Sequence, residues 1–194
     1  PEVRVSEPAP VSSSQKLEAY NEFLALPDSG YGSTLRVEAM RRQADLYMQL
    51  GEEASLRNDG LLKDDPNQLQ AIEVYNQIRI EYPDYEQLEF VVYQLSKAYE
   101  NVGNQAEVLN VLNELVSRWP KSEYIQEAQF RRGEILFIQQ DYAGAEQAYQ
   151  VVLDNGSGSR FYEQSLYKHC LLYTSDAADD SLRVDLGGRR IIKK

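Results

Sequence analysis

The chain has one cysteine, Cys170, in 194 residues. A lone thiol can neither close an intramolecular disulfide nor build a cysteine zinc cluster, so the fold has to be held by an ordinary core. The one histidine, His169, leaves no material for a histidine base or a paired metal site. Apolar runs stop at four or five residues, far short of the roughly 20 that span a bilayer. No glycine-rich phosphate loop with a following lysine occurs. Basic residues number 20 against 31 acidic ones, for a formal net charge of -11. That balance disfavours phosphate binding, so nucleic acid is not an expected partner. Neighbouring carboxylates such as Glu52 and Glu53, or Asp64 and Asp65, read as solvated surface without calcium-loop spacing. The sequence therefore offers no catalytic set, cofactor site, metal site or small-molecule substrate site. It opens on Pro1 rather than methionine, which reads as an internal fragment whose targeting segment or membrane anchor lies outside it.

What is present is helical periodicity. Residues 1–13 hold three of the seven prolines and read as a disordered linker. From Ser14, Leu17, Tyr20, Phe23 and Leu24 recur at helical spacing up to Pro27. A helix over about 33–52 carries Val37, Met40, Ala44, Tyr47 and Met48, and a polar connection follows it. Asp65 before Pro66 is a strong start signal, since aspartate caps and proline suits the first turn; that helix runs to about residue 81. Further helices are expected at 86–101, 105–118, Ser122 to about Gln139, and Asp141 to about Asp154. Asn104 and Glu107 have capping-box spacing. Asn155-Gly-Ser-Gly-Ser159 reads as a loop, with another helix from about Phe161.

The helices repeat. Ser96 and Gly133, Val108 and Ala145, Leu112 and Tyr149, Val92 and Gln129, and Pro83 and Pro120 are each 37 apart. Small residues Ala44, Ser96 and Gly133 stand where paired helices approach. Ala71, Val108 and Ala145 hold the matching place in the second helices, with Tyr75, Leu112 and Tyr149 four residues later. Tyr99 and Leu136 continue the first-helix stripe. Ala19 and Phe23 repeat the second-helix pattern. The resulting division is a half-unit 14–27, units 37–83, 89–120 and 126–154, and the start of another over 161–168. The first full unit contains an insertion within about 50–65.

This pattern resembles the tetratricopeptide repeat, whose usual period of about 34 is three residues shorter. The resemblance covers about residues 14–168 and implies an all-α solenoid of helix pairs with a right-handed superhelix. The Tyr82-Pro83 and Trp119-Pro-Lys-Ser122 endings are most similar to bacterial envelope repeat proteins, namely outer-membrane assembly lipoproteins and the Tol-Pal coordinator type. Such a likeness implies a noncatalytic scaffold that binds a protein or peptide in the periplasm or at the outer membrane, with membrane association through an N-terminal anchor. Two alternatives are a cytoplasmic scaffold and an accessory domain of a larger cell-wall enzyme.

The family's groove is lined by first helices. Carried over position by position, it implies Glu38, Arg41, Asp45 and Met48 in the first full unit. It implies Phe90, Tyr93, Lys97 and Glu100 in the second, and Glu127, Phe130, Glu134, Phe137 and Ile138 in the third. Phe90, Tyr93, Phe130 and Phe137 are candidate peptide anchors, with Lys97 and Arg41 placed to meet acidic groups. The alternative use of those rings is packing between neighbouring helices.

From Cys170 onward the string CLLYTSDAADDSLRVDLGGRRIIKK closely resembles translated read-through of a sequencing adapter. The native frame is expected to end at 169 or 170, leaving 169–194 as a non-native tail. The repeat calls for a small residue at 170 and a continuing amphipathic helix. Removing 170–194 takes away four aspartates and five basic residues, so the acidic balance does not depend on it.

Overall fold

The computed structural model describes residues 12–27, 32–57 and 65–172, all of whose regular structure is helical. The expected linker, most of the polar connection before Asp65 and the end of the tail lie outside these residues. The helices are α1 (Ser13–Ala25), α2 (Gly32–Arg57), α3 (Pro66–Glu81), α4 (Leu88–Asn101), α5 (Gln105–Arg118), α6 (Ile125–Ile138) and α7 (Tyr142–Asp154), followed by α8 over 162–172. Two compact units divide inside α5, Pro1–Val111 and Leu112–Lys194. In the first, α1 packs on α2, α2 on α3 and α3 on α4; in the second, α6 packs on α7.

Local chemistry accounts for the helix ends. Ser12 and Gln15 form a reciprocal capping box at α1. Asp65 accepts from the amides of Asn67 and Gln68, with Pro66 in the first turn of α3. Asp141 accepts from Gly144 N at 3.0 Å and starts α7. Two start signals work differently from the sequence expectation. Asn104 does accept from Glu107 N at 3.3 Å, but its own amide donates to the Tyr99 carbonyl at 2.9 Å, closing α4 instead of receiving the Glu107 side chain. Ser122 holds Tyr124 N at 3.0 Å in the turn before α6, whose first residue is Ile125. The first full unit also differs, because α2 continues to Arg57 and absorbs much of the expected insertion.

The 37-residue interval is written into the backbone. The amides of Tyr85, Ser122 and Ser159 donate three residues back, to the carbonyls of Tyr82, Trp119 and Gly156. Leu88, Ile125 and Tyr162 then donate to Tyr85, Ser122 and Ser159. At the far end of the helices, Asn104 and Asp141 donate to Tyr99 and Leu136 across residues of positive φ. Gly103 (φ 75) fills that left-handed position after α4, whereas Gln140 (φ 64) fills it after α6. A side chain in this region costs energy, so the same turn is built once without strain and once with it.

Burial follows the same interval. Ala71, Tyr75 and Ile78 of α3 are fully buried, as are Ala145, Tyr149 and Val152 of α7. Val108, Leu112 and Leu115 hold the corresponding places in α5 and are buried too. On the first helices Ala44, Ser96 and Leu136 are buried, along with Gly133, while Tyr99 is half-buried. Each large side chain removed from water in this way contributes about 1.5–3 kcal/mol. At Gly133 a Cβ would sit 2.6 Å from Tyr149 Cε1, so the glycine is required by the close approach of α6 and α7. The α8 helix carries the pattern on to Leu172, buried 37 residues after Ile135 and 74 after Ala98.

Candidate binding surface

In the first unit, Glu38, Arg41 and Asp45 lie on α2 at spacings of three and four, which places them on one helix face. They face one another as well as solvent. The Arg41 guanidinium grips Glu38 through two bonds, Nε to Oε2 at 3.1 Å and Nη2 to Oε1 at 2.7 Å, and reaches Asp45 Oδ2 at 2.6 Å. Arg42 Nε also donates to Glu38, at 2.7 Å. Tyr85, in the turn before α4, donates its hydroxyl to Glu38 Oε2 at 2.6 Å, and Tyr75 of α3 donates to Asp45 Oδ1 at 2.6 Å. The Arg41 guanidinium also lies 5.5 Å from the centre of the Phe90 ring.

This network sets the protonation behaviour of its members. Hydrogen bonding from Arg41 holds the Glu38 carboxyl down at about 2, overcoming the opposing effect of burial, with Tyr85 and Arg42 adding to it. The Glu38 bond in turn raises Arg41 further above its usual range. Burial pushes Asp45 up, against the bonds from Tyr75 and the charge of Arg41. The Tyr75 hydroxyl is raised by burial and then by Asp45, and Tyr85 is raised to about 12 by burial and its bond to Glu38. The Arg41 guanidinium is thus engaged within the fold, its side chain only 11% exposed. It is already paired with Glu38 and Asp45, the place where an incoming acidic group was expected to meet it.

The remaining first-unit candidates separate by exposure. Met48 and Tyr93 are buried at 7% and 6% and belong to the core, not to an open surface. Phe90 is half-buried beneath Arg41, and Glu100 is exposed. The Lys97 ammonium lies 4.8 Å from the centre of the Tyr93 ring, over its face, a favourable place for a cation. It stands one residue beyond Ser96, as Asp45 stands one beyond Ala44. Beside Glu38, Thr34, Leu35, Tyr82, Pro83 and Asp84 line a cavity of about 720 Å³.

In the second unit the candidate rings are used in packing. Phe130 stacks on Phe161 at 5.2 Å and leans on Tyr149 at 6.2 Å. Phe137 meets the edge of Tyr142 at 5.7 Å and lies under the Lys168 ammonium at 5.2 Å. Glu134 accepts the Tyr149 hydroxyl at 2.5 Å and Lys168 Nζ at 3.0 Å. Burial and that bond raise Tyr149 well above the usual phenol range. Glu127 pairs with Arg131 at 2.7 Å and with Arg160 at 2.6 Å. Ile138, 79% exposed, is the most open member of this group.

Tyr85, Lys168, Arg160 and Phe161 join these clusters although sequence reasoning did not select them. Their 37-residue counterparts carried a signal: Phe161 corresponds to Tyr124, and Tyr85 to Ser122. The tail residues His169 and Cys170 are placed simply, His169 at 3.7 Å from Glu146 and Cys170 exposed. Among the described residues no group of His, Cys, Asp and Glu is arranged to hold a metal, and no helix is long and apolar enough to cross a membrane. No family model matches the sequence, and no curated protein matches it.

Proposed function

We propose that this chain is a noncatalytic scaffold of tetratricopeptide type that binds a protein or peptide partner through its first helices. The reading extends to a solenoid of helix pairs serving bacterial envelope assembly or coordination, in the periplasm or at the outer membrane. The observation that carries it is the 37-residue recurrence of the same turn hydrogen bonds and the same fully buried small–bulky–aliphatic triplets. Such recurrence belongs to architectures whose units bury one face against their neighbours and leave another for partners.

Within that reading the contact residues are narrowed by geometry. Met48 and Tyr93 are buried, Arg41 is paired with Glu38 and Asp45, and Phe130 and Phe137 lie in aromatic clusters. In the first unit Lys97, with Glu100 and Phe90 beside it on α4, is proposed to meet a partner, Lys97 being the cation suited to a peptide carboxylate; in the second unit the proposed position is Ile138 on α6. The test is peptide selection by display on the intact chain, followed by titration of the selected peptides against wild type, Lys97→Glu and Phe90→Ala. Weakened binding with unchanged helicity supports the proposal. Full affinity in both variants, or no peptide selected at all, would count against it.

A further inference from the structure

The turns before α4 and α8 are built alike, but the charge they bring to the neighbouring first helix is reversed. Glu38 of α2 and Glu127 of α6 stand six residues before the small positions Ala44 and Gly133, and Arg42 and Arg131 stand two before them. In the second unit Glu127 is held on both oxygens: Arg131 of its own helix meets Oε1 at 2.7 Å, and Arg160 of the turn before α8 meets Oε2 at 2.6 Å. The Arg160 guanidinium also lies 4.5 Å from the centre of the Phe161 ring. In the first unit Arg42 likewise donates to Oε1 of Glu38, but from the turn it is the Tyr85 hydroxyl that reaches Oε2. The residue 74 before Arg160 is Glu86. An acid thus stands where the second unit supplies its own cation.

This difference borders the cavity of about 720 Å³ beside Glu38, within the range of about 300–1,000 Å³ typical of ligand sites. Leu35, Val37, Tyr82 and Pro83 give it apolar walls, and the exposed Glu81, Asp84 and Glu86 also line it. No lysine or arginine is among the described residues of that lining, and Arg41 and Arg42 are engaged by Glu38. Nor are these carboxylates gathered to hold a metal ion among the described residues. Such walls suit a cation on an apolar stem, which buries its methylenes and keeps its head group at the wet edge.

We propose that this cavity receives a lysine or arginine side chain from a basic segment of a partner protein, the intermolecular counterpart of Arg160 on Glu127. The stem of that side chain lies along Leu35 and Pro83. Its head group meets Asp84 and Glu86, because the oxygens of Glu38 are already taken. Acidic surface is widespread on a chain of net charge -11 and attracts any cation weakly. The apolar walls, and the guanidinium seated at the equivalent place in the second unit, distinguish this cavity from that background. The site differs in place and in sign from Lys97 on α4, so it goes beyond the peptide site proposed above and rests only on the correspondence between the two turns.

The test is an amide NMR titration of the isotope-labelled full chain, at low ionic strength, with a blocked peptide carrying one lysine between alanines. Saturable shifts confined to the turn at 82–87 and the start of α2 are expected, and salt is expected to reverse them. The same peptide with norleucine in place of lysine keeps the stem without the charge and is expected to leave these amides unmoved. Asp84→Asn combined with Glu86→Gln changes exposed residues, and circular dichroism establishes that the helices are kept. Affinity for the lysine peptide is expected to fall in that variant by about tenfold or more. Lys97→Glu is expected to bind this peptide as wild type does, so the cavity and the α4 site stand or fall separately. The proposal is overturned by the absence of saturable shifts at 82–87, by equal shifts spread over the acidic surface, or by equal binding of the norleucine peptide. Undiminished affinity in the double variant overturns it too, as does calcium chloride producing the same shifts at equal ionic strength, which would mean that a bare charge suffices.

Discussion

The hydroxyl of Tyr149 on α7 donates to Glu134 on α6 at 2.5 Å, and Tyr75 on α3 makes the corresponding bond to Asp45 on α2 at 2.6 Å. In both pairs the carboxylate follows the small residue of the first helix, and the tyrosine stands four beyond the small residue of the second. The intervening helices hold Lys97 and Leu112 at these places, so the acid and the phenol are absent together. Hydrogen bonds to charged groups contribute about 1.5–3 kcal/mol. Tyr149→Phe is expected to lower unfolding stability by that order in urea titration, with a coupling to Glu134→Gln in a double-mutant cycle. A cycle showing no coupling would deny the pair any part in joining α6 to α7.

Gly133→Ala tests the same interface from the other side. The added Cβ would lie 2.6 Å from a Tyr149 ring atom in a fully packed site. The expected cost is about 1–3 kcal/mol from overpacking, read as a lower urea midpoint with an unchanged slope. An unchanged midpoint would mean that α6 and α7 do not approach as closely as described.

Ser165 Oγ is buried without a hydrogen-bond partner among the described residues. Its counterparts 37 and 74 residues earlier are Ala128 and Val91, both apolar and buried. An unpaired buried hydroxyl costs roughly 1–3 kcal/mol, so Ser165→Ala is expected to raise thermal stability. A fall in melting temperature would show that the hydroxyl has a partner in solution.

The α2 network makes stability depend on pH in a definite direction. Glu38 is held at about 2 in the fold against an ordinary 4.5, so between these values the unfolded chain binds the proton more tightly. The stability it contributes is complete above about 4.5 and is lost as pH falls toward 2. Allowing for screening at this partly exposed site, the loss is roughly 1–2 kcal/mol. Asp45, shifted upward by burial, acts in the opposite sense: its protonation at higher pH than in the unfolded chain favours the fold as pH falls. Urea titrations over this range should show a drop in wild type that is reduced in Glu38→Gln, the variant being the less stable of the two at neutral pH.

How much of this was legible in the sequence depends on the range of the interaction. Asp65-Pro66 and Asp141 announced their helices because capping is settled within three residues. The 37-residue interval exposed Gly133 and the buried tyrosines because volume at a helix crossing constrains residue type. The pairing of Arg41 was not read from the sequence although Glu38 and Asp45 stood at the right spacing beside it, since an ion pair on a helix reads like a solvated face until burial is known. Tyr85 could not be connected to Glu38, 47 residues away, until the turn before α4 had been placed beside α2. The use of Phe130 was similarly hidden, because its partner Phe161 comes from the loop beyond the next helix. Asn104 failed as half of a reciprocal box because its amide was already needed to close α4.

The central claim is that the first helices hold a peptide, and Lys97 tests it most directly. Peptides selected on the intact chain should lose affinity for Lys97→Glu by about tenfold or more, as expected when a desolvated charge pair becomes a repulsion, while Ser165→Ala binds as wild type does. Equal affinity of wild type and Lys97→Glu for every selected peptide would contradict the account.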